Sequence, residues 1–144
     1  KQLDETGLFD VDVVSAPPAG ASFSAFTPDF ETYQAVVLNY DAPDDRWPAE
    51  LKRSFERYVT NGGGVVVVHA SDNAFPGWNA FNEMIGVGGW GGRNEKSGPW
   101  PYVQDGKPVK DESPGNGGTH GKQHEFLVAI RRTDPPVTQG LPPN

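Results

Sequence analysis

Apolar residues fall in short blocks divided by stretches rich in glycine and proline. In the first block, Leu8 to Ala16, Phe9, Val11 and Val13 alternate with aspartates before Pro17-Pro18. Period-two alternation stopped by proline predicts a strand. From Ala19 to Asp29 the chain is small, polar and interrupted by Pro28, which predicts a loop with one helical turn around Thr27-Pro28-Asp29. Tyr33 to Tyr40 is a second apolar run without strict alternation, the pattern of a strand covered on both faces.

Asp44-Asp45-Arg46-Trp47-Pro48 opens a helix in which Leu51, Phe55, Tyr58 and Val59 recur at helical spacing, and Asn61-Gly62 closes it. Val65 to His69 reads as a third strand, and Trp78, Phe81, Met84 and Ile85 mark a second helix ending near Gly86. Strand, strand, helix, strand, helix is the order of an α/β domain with a mainly parallel sheet, and right-handed crossovers would put helices on both its faces. After Gly86 the periodicity stops, and an irregular stretch containing Trp90, Trp100 and Tyr102 runs to Gly121. A connection of that length carries function or is disordered, and its aromatic content argues against disorder. His124 to Ile130 reads as a last strand before a proline-rich exit from Thr133 to Pro143.

Composition narrows the picture. A chain of 144 residues suits one domain, residues 1–144, and Gly 18 with Pro 14 makes it loop-rich. A net charge of −7 argues against nucleic acid as a partner, since phosphate recognition needs clustered Lys and Arg. No stretch approaches the roughly 20 apolar residues of a membrane span, so no membrane association is expected. The absence of cysteine excludes disulfides, thiolate catalysis and Cys-ligated zinc, while compartment and oligomeric state stay open. With no initiator Met, a start inside an amphipathic segment and an end at Leu141-Pro142-Pro143-Asn144, the domain is expected to continue past both ends.

Ligands of open parallel sheets bind beyond the carboxyl ends of the strands, and His69 follows the valine run Val65 to Val68 directly. It is either a group poised for proton transfer or a satisfied buried histidine bonded to a neighbouring loop. Ser71 lacks the G-x-S-x-G elbow of a hydrolase nucleophile, so helix capping by Ser71 or Asp72 is the plainer reading. His120 and His124 flank the segment Gly121-Lys122-Gln123, and two imidazoles with a carboxylate would suit a divalent metal; a surface loop is the alternative. The run Gly88-Gly89-Trp90-Gly91-Gly92-Arg93 neither follows a strand nor ends in Gly-Lys-Ser/Thr, so no nucleotide is expected. Trp90, Trp100 and Tyr102 with Arg93 have instead the make-up of a wall for a carbohydrate or other polar ligand, although a tryptophan in a loop is more often ordinary local core.

Several blocks occur in a telling order: Asn61-Gly62-Gly63-Gly64-Val65, His69-Ala70-Ser71, Trp78 to Gly86, the glycine run ending at Arg93, Gly98-Pro99, Gly117 to Gly121, and Gly140-Leu141-Pro142. In that order they resemble the trehalose-utilisation (ThuA-like) family over about Leu8 to Pro142. The resemblance implies a flavodoxin-like three-layer α/β sandwich with a mainly parallel sheet, similar to class I glutamine amidotransferases. Their thiolate chemistry is excluded here, because no cysteine is present. The family's usual Asp-His-Pro-Ile is replaced by Asp134-Pro135-Pro136-Val137, which removes one histidine.

Two functional expectations follow. In the first, the protein processes a small carbohydrate, a disaccharide or keto-disaccharide, in a cleft with His69, His120 and His124 as catalytic groups. Trp90, Arg93, Ser71 and Asp72 then contact the ligand, and a divalent metal on His120 and His124, or Arg93, stabilises an enolate. In the second, it is a non-catalytic sugar-binding or interaction domain that keeps the amidotransferase-like fold. Histidines sharing one concave pocket would favour the first; histidines dispersed over the molecule would favour the second. An esterase using Ser71 would need a histidine in hydrogen-bond reach with an acid behind it.

Overall fold

The computed structural model describes residues 1–144 except 1, 2, 87, 89–91, 118–120, 131, 143 and 144. Its regular elements are β1 (Ala35–Leu38), α1 (Ala49–Thr60), β2 (Gly64–Val67), α2 (Asn79–Ile85), β3 (Trp100–Gln104) and β4 (Lys107–Asp111). Strands β1 and β2 are parallel, with Ala35 opposite Gly64 and Leu38 opposite Val67, and α1 makes the crossover between them. This is an α/β arrangement built on a small parallel sheet.

Helix α1 forms where the periodicity predicts it. Pro48 precedes its first turn, and Leu51, Phe55 and Tyr58 compose its buried stripe. At the far end the Asn61 amide donates to Arg57 O and the Gly63 amide to Tyr58 O, which turns the chain straight into β2. A Cβ on Gly63 would sit 2.2 Å from the buried Tyr58 ring, so the approach of turn to helix requires glycine there. The Tyr58 hydroxyl donates to Gly64 O at 2.8 Å and ties the helix to the first residue of β2.

The core is aromatic. Phe30, Trp47, Phe55, Phe75, Trp78 and Phe81 are buried together, with Val36, Val65 and Leu38 of the sheet packed against or within the cluster. Both helices thus lie against one face of β1–β2, while Val37, Val66 and Val68 on the other face are exposed. Arg46 fastens the preceding loop: its guanidinium donates to the carbonyls of Pro17, Pro18 and Ala21 and lies 4.3 Å from the Phe23 ring centroid.

Two expectations are corrected. Among the described residues, 8–16 and 124–130 carry no strand, and Leu127 is 96% exposed. A strand's backbone bonds run between chains, so an alternating pattern cannot form one without a neighbour in register. Conversely, the stretch expected to be irregular contains the antiparallel ribbon β3–β4, with Tyr102 opposite Val109. Asp105 and Gly106 form its turn with φ of 51° and 76°, the doubly left-handed conformation that a two-residue hairpin favours.

Tyr58 gives this core an alkaline limit. Burial raises its phenol above the ordinary 10.0, so the folded chain holds the proton longer than the unfolded one. The associated stability is intact below pH 10.0 and is lost as pH climbs through the raised value. Urea melts of the parent from about pH 9 to about pH 11 should show that loss, and Tyr58→Phe should flatten it. An unchanged slope in the variant would place the alkaline sensitivity elsewhere.

Candidate functional site

The site grows from the carboxyl end of β2. Past Val67 the pairing continues by one bond, Val68 N–H to Leu38 O at 2.9 Å. The chain then breaks into a 3-10 turn over His69–Asn73, and His69 enters it with φ of 48°. A β-carbon in the left-handed region crowds the carbonyl that follows, at a cost of roughly 1–2 kcal/mol per residue. Phe75 closes the turn with φ of 53°. Its amide donates to Ala42 O at 2.8 Å and its ring is wedged among Tyr40, Trp47, Trp78 and Phe81, so the core holds that end in place.

Ser71 holds the middle. Only 1% of it is exposed; its Oγ donates to Leu38 O at 2.9 Å and accepts from the Tyr40 amide at 2.7 Å. Both roles of the hydroxyl are filled by the end of β1, so Ser71 acts here by joining the two strand ends. Ser71→Ala should leave the part-buried Tyr40 N–H without its acceptor and lower stability by about 1–3 kcal/mol in denaturant melts. A neutral effect would mean that water or a shifted carbonyl replaces the hydroxyl.

His69 itself is exposed. With Val67, Asp72 and Ile85 it lines a cavity of about 300 Å³ at the meeting of the β2 end, the 3-10 turn and the end of α2. An imidazole and a carboxylate over two aliphatic side chains can exchange a proton with a bound molecule while covering its apolar side. Reading the sequence for strand-end polar groups singled out His69 and passed over Asn39 and Asp41. Both are exposed just past β1, whose last residue Leu38 accepts from the Val68 amide through its carbonyl. The signal was present: they follow the apolar run Val36-Val37-Leu38 as His69 follows its valines.

The remaining candidates lie apart. His124 lines a separate cavity of about 490 Å³ with Glu125, Phe126 and Leu127, and its Nδ1 is 2.7 Å from Glu125 O. His69 and His124 therefore do not share a pocket, while His120 and Trp90 fall outside the described residues. Arg93 is turned inward and is 4% exposed. It donates to the carbonyls of Gly88, Ser97, Gly98 and Pro99, and its guanidinium carbon lies 4.9 Å from the Trp100 ring centroid. Its side chain is thus engaged in shaping the loop after α2, and that loop starts at Gly88 in such close contact with Asn82 that a Cβ would collide. Among the described residues, no three His, Asp or Glu side chains gather as a metal site.

The family model described as ThuA, trehalose utilisation, matches residues 1–144. The solved structure of a ThuA-like protein from Parabacteroides merdae is 52% identical and superposes with a TM-score of 0.89, covering 98% of this chain and 50% of that one. The chain therefore spans about half the length of that relative. No curated protein matches it.

Proposed function

Since the chain belongs to the ThuA trehalose-utilisation family, we propose that it handles disaccharides or their keto derivatives at the mouth formed by His69 and Asp72. The observation that carries this reading is the left-handed backbone of His69. A non-glycine residue held in a disfavoured conformation, with its imidazole exposed at a cavity, is the kind of strain that persists where position matters for function. A keto-sugar has an acidic C–H next to its carbonyl. The His69 imidazole takes that proton, leaving an enolate, and Asp72 offsets the imidazolium charge. With the adjacent hydroxyl proton passed to the enolate oxygen, returning the abstracted proton to the former carbonyl carbon isomerises the sugar; expelling a β-oxygen, which takes the proton from the imidazolium and leaves as the alcohol, cleaves the glycosidic bond by elimination.

Protein groups alone carry this step. A metal on His120 and His124 would supply a Lewis acid for the enolate, but His124 is the sole described member of that pair and its Nδ1 already faces a carbonyl. That His69 and His124 line separate cavities favours a competing reading, a sugar-binding domain without turnover. Deuterium exchange separates the two: incubation with a panel of keto-disaccharides in D₂O should label the carbon next to the carbonyl, and His69→Gln should abolish labelling. Binding without labelling by the parent would leave only the sugar-binding domain.

For the fold, we read the parallel pair as part of a flavodoxin-like three-layer sandwich of the class I glutamine amidotransferase kind. What supports this is the helices on one face of β1–β2 and the apolar character of the other.

A further inference from the structure

The segment that leaves β1 bonds to the site turn at every second residue. Leu38 O accepts from the Val68 amide and from Ser71 Oγ, both at 2.9 Å, and the Tyr40 amide donates to Ser71 Oγ at 2.7 Å. Ala42 O accepts from the Phe75 amide at 2.8 Å, and Asp44 Oδ1 accepts from the Gly77 amide at 2.7 Å. Residues 38, 40, 42 and 44 therefore run beside 68–77 from end to end. Leu38 and Ala42 are buried and Tyr40 packs on the core, whereas Asn39, Asp41 and Pro43 between them are exposed. The period of two outlasts the strand itself, so one side of this segment is committed to the turn.

Asp44 differs from the other three in being exposed and in reaching the turn segment with its side chain. The chain bends there, with the Arg46 amide donating to Pro43 O at 3.1 Å, and the Asp44 carbonyl is taken by the Lys52 ammonium at 2.6 Å. Lys52 Nζ also lies 5.6 Å from the Phe75 ring centroid and 5.1 Å from that of Trp78. Gly77 approaches so closely that a Cβ would stand 2.7 Å from Asp44 Oδ2. Carbonyl and carboxylate are thus both held, at a surface position where an aspartate is usually free to move.

Resting on the proton-transfer reading of His69, we infer that Asp44 is a positioning residue for that histidine. It acts through the outlet of the turn, Phe75 to Gly77, while Ser71 holds the middle. His69 and Phe75, both left-handed, bracket what lies between. Unfavourable backbone persists only where its surroundings over-determine it. Releasing the outlet lets the turn relax, and the imidazole leaves its place beside Asp72 at the cavity mouth.

The test compares Asp44→Ala with Asp44→Asn, whose amide oxygen keeps the acceptor. With three histidines in the chain, the ring-proton resonances of His69 are identified by their loss in His69→Gln. Asp44→Ala should shift those resonances and lower kcat for deuterium labelling by about 10-fold or more, with KM nearly unchanged. Asp44→Asn should restore both. An Asp44→Ala protein that melts earlier yet keeps the parental His69 resonances and kcat would overturn the inference, since the bond would then serve the fold alone. Failure of Asp44→Asn to restore them would also overturn it, because charge rather than acceptance would be the cause. If the parent labels no keto-disaccharide, the proton-transfer reading falls, and the resonances alone decide whether Asp44 places His69.

Discussion

Phe55→Ala is expected to remove about 3–5 kcal/mol of unfolding stability, the largest loss from any single core truncation in this chain. Phe55 is fully buried, and the rings of Phe30, Trp47, Tyr58, Trp78 and Phe81 surround it at centroid distances of 5.2 to 6.4 Å. Those rings come from the turn before β1, the entry to α1, α1 itself, the segment after the site and α2. Few of them can move in to fill the void, since Phe30 stacks on Trp47, Trp78 stacks on Phe81, and Tyr58 also meets Phe30. A cavity that cannot collapse costs both the lost transfer energy and the lost contacts. Against a typical total of about 5–15 kcal/mol, the variant should be near its limit at ambient temperature. Urea melts read by tryptophan fluorescence check this; a loss below about 1 kcal/mol would mean the cluster is loosely packed.

The elements that the sequence reading located correctly share one property: their signal is local. Helix α1 carries its stripe and its closing Asn61-Gly62 within one window, α2 ends at Gly86 in the left-handed cap, and β1 and β2 are apolar runs that find each other through α1. Leu8–Ala16 and His124–Ile130 have equally good strand patterns and form none, because pairing depends on chain that local pattern does not contain. The ribbon β3–β4 was missed for the opposite reason: Pro101 and Pro108 hide strand character, and only the Asp105-Gly106 turn is visible locally. At the site, the position of His69 beyond the valines was legible, since strand ends project into clefts. Its left-handed backbone was not, because the turn is anchored by contacts distant in sequence, Ser71 to the end of β1 and Phe75 to Ala42. Arg93 was read as a ligand group from its type, whereas four backbone carbonyls engage it.

His69→Gly should move activity and stability in opposite directions. Loss of a positioned general base lowers proton-transfer rates by about 10²–10⁴-fold, so turnover or deuterium labelling of a keto-disaccharide should fall by that factor. Stability should hold or rise. Glycine relieves the left-handed penalty of about 1–2 kcal/mol, and the extra freedom of its unfolded chain returns about 0.5–1 kcal/mol of that gain. His69 is exposed beside Val67, Asp72 and Ile85 at the cavity mouth, so its removal buries or uncovers little. A histidine retained for structure behaves differently: its removal leaves a donor or acceptor unpaired, and stability drops. Paired measurement of labelling rate and denaturant midpoint therefore decides between the roles. His69→Asn refines the result, since asparagine tolerates the same backbone region without glycine's added freedom. If both substitutions destabilise the protein while activity survives, the turn is strained for the sake of the fold, and the proton-transfer site lies away from β2.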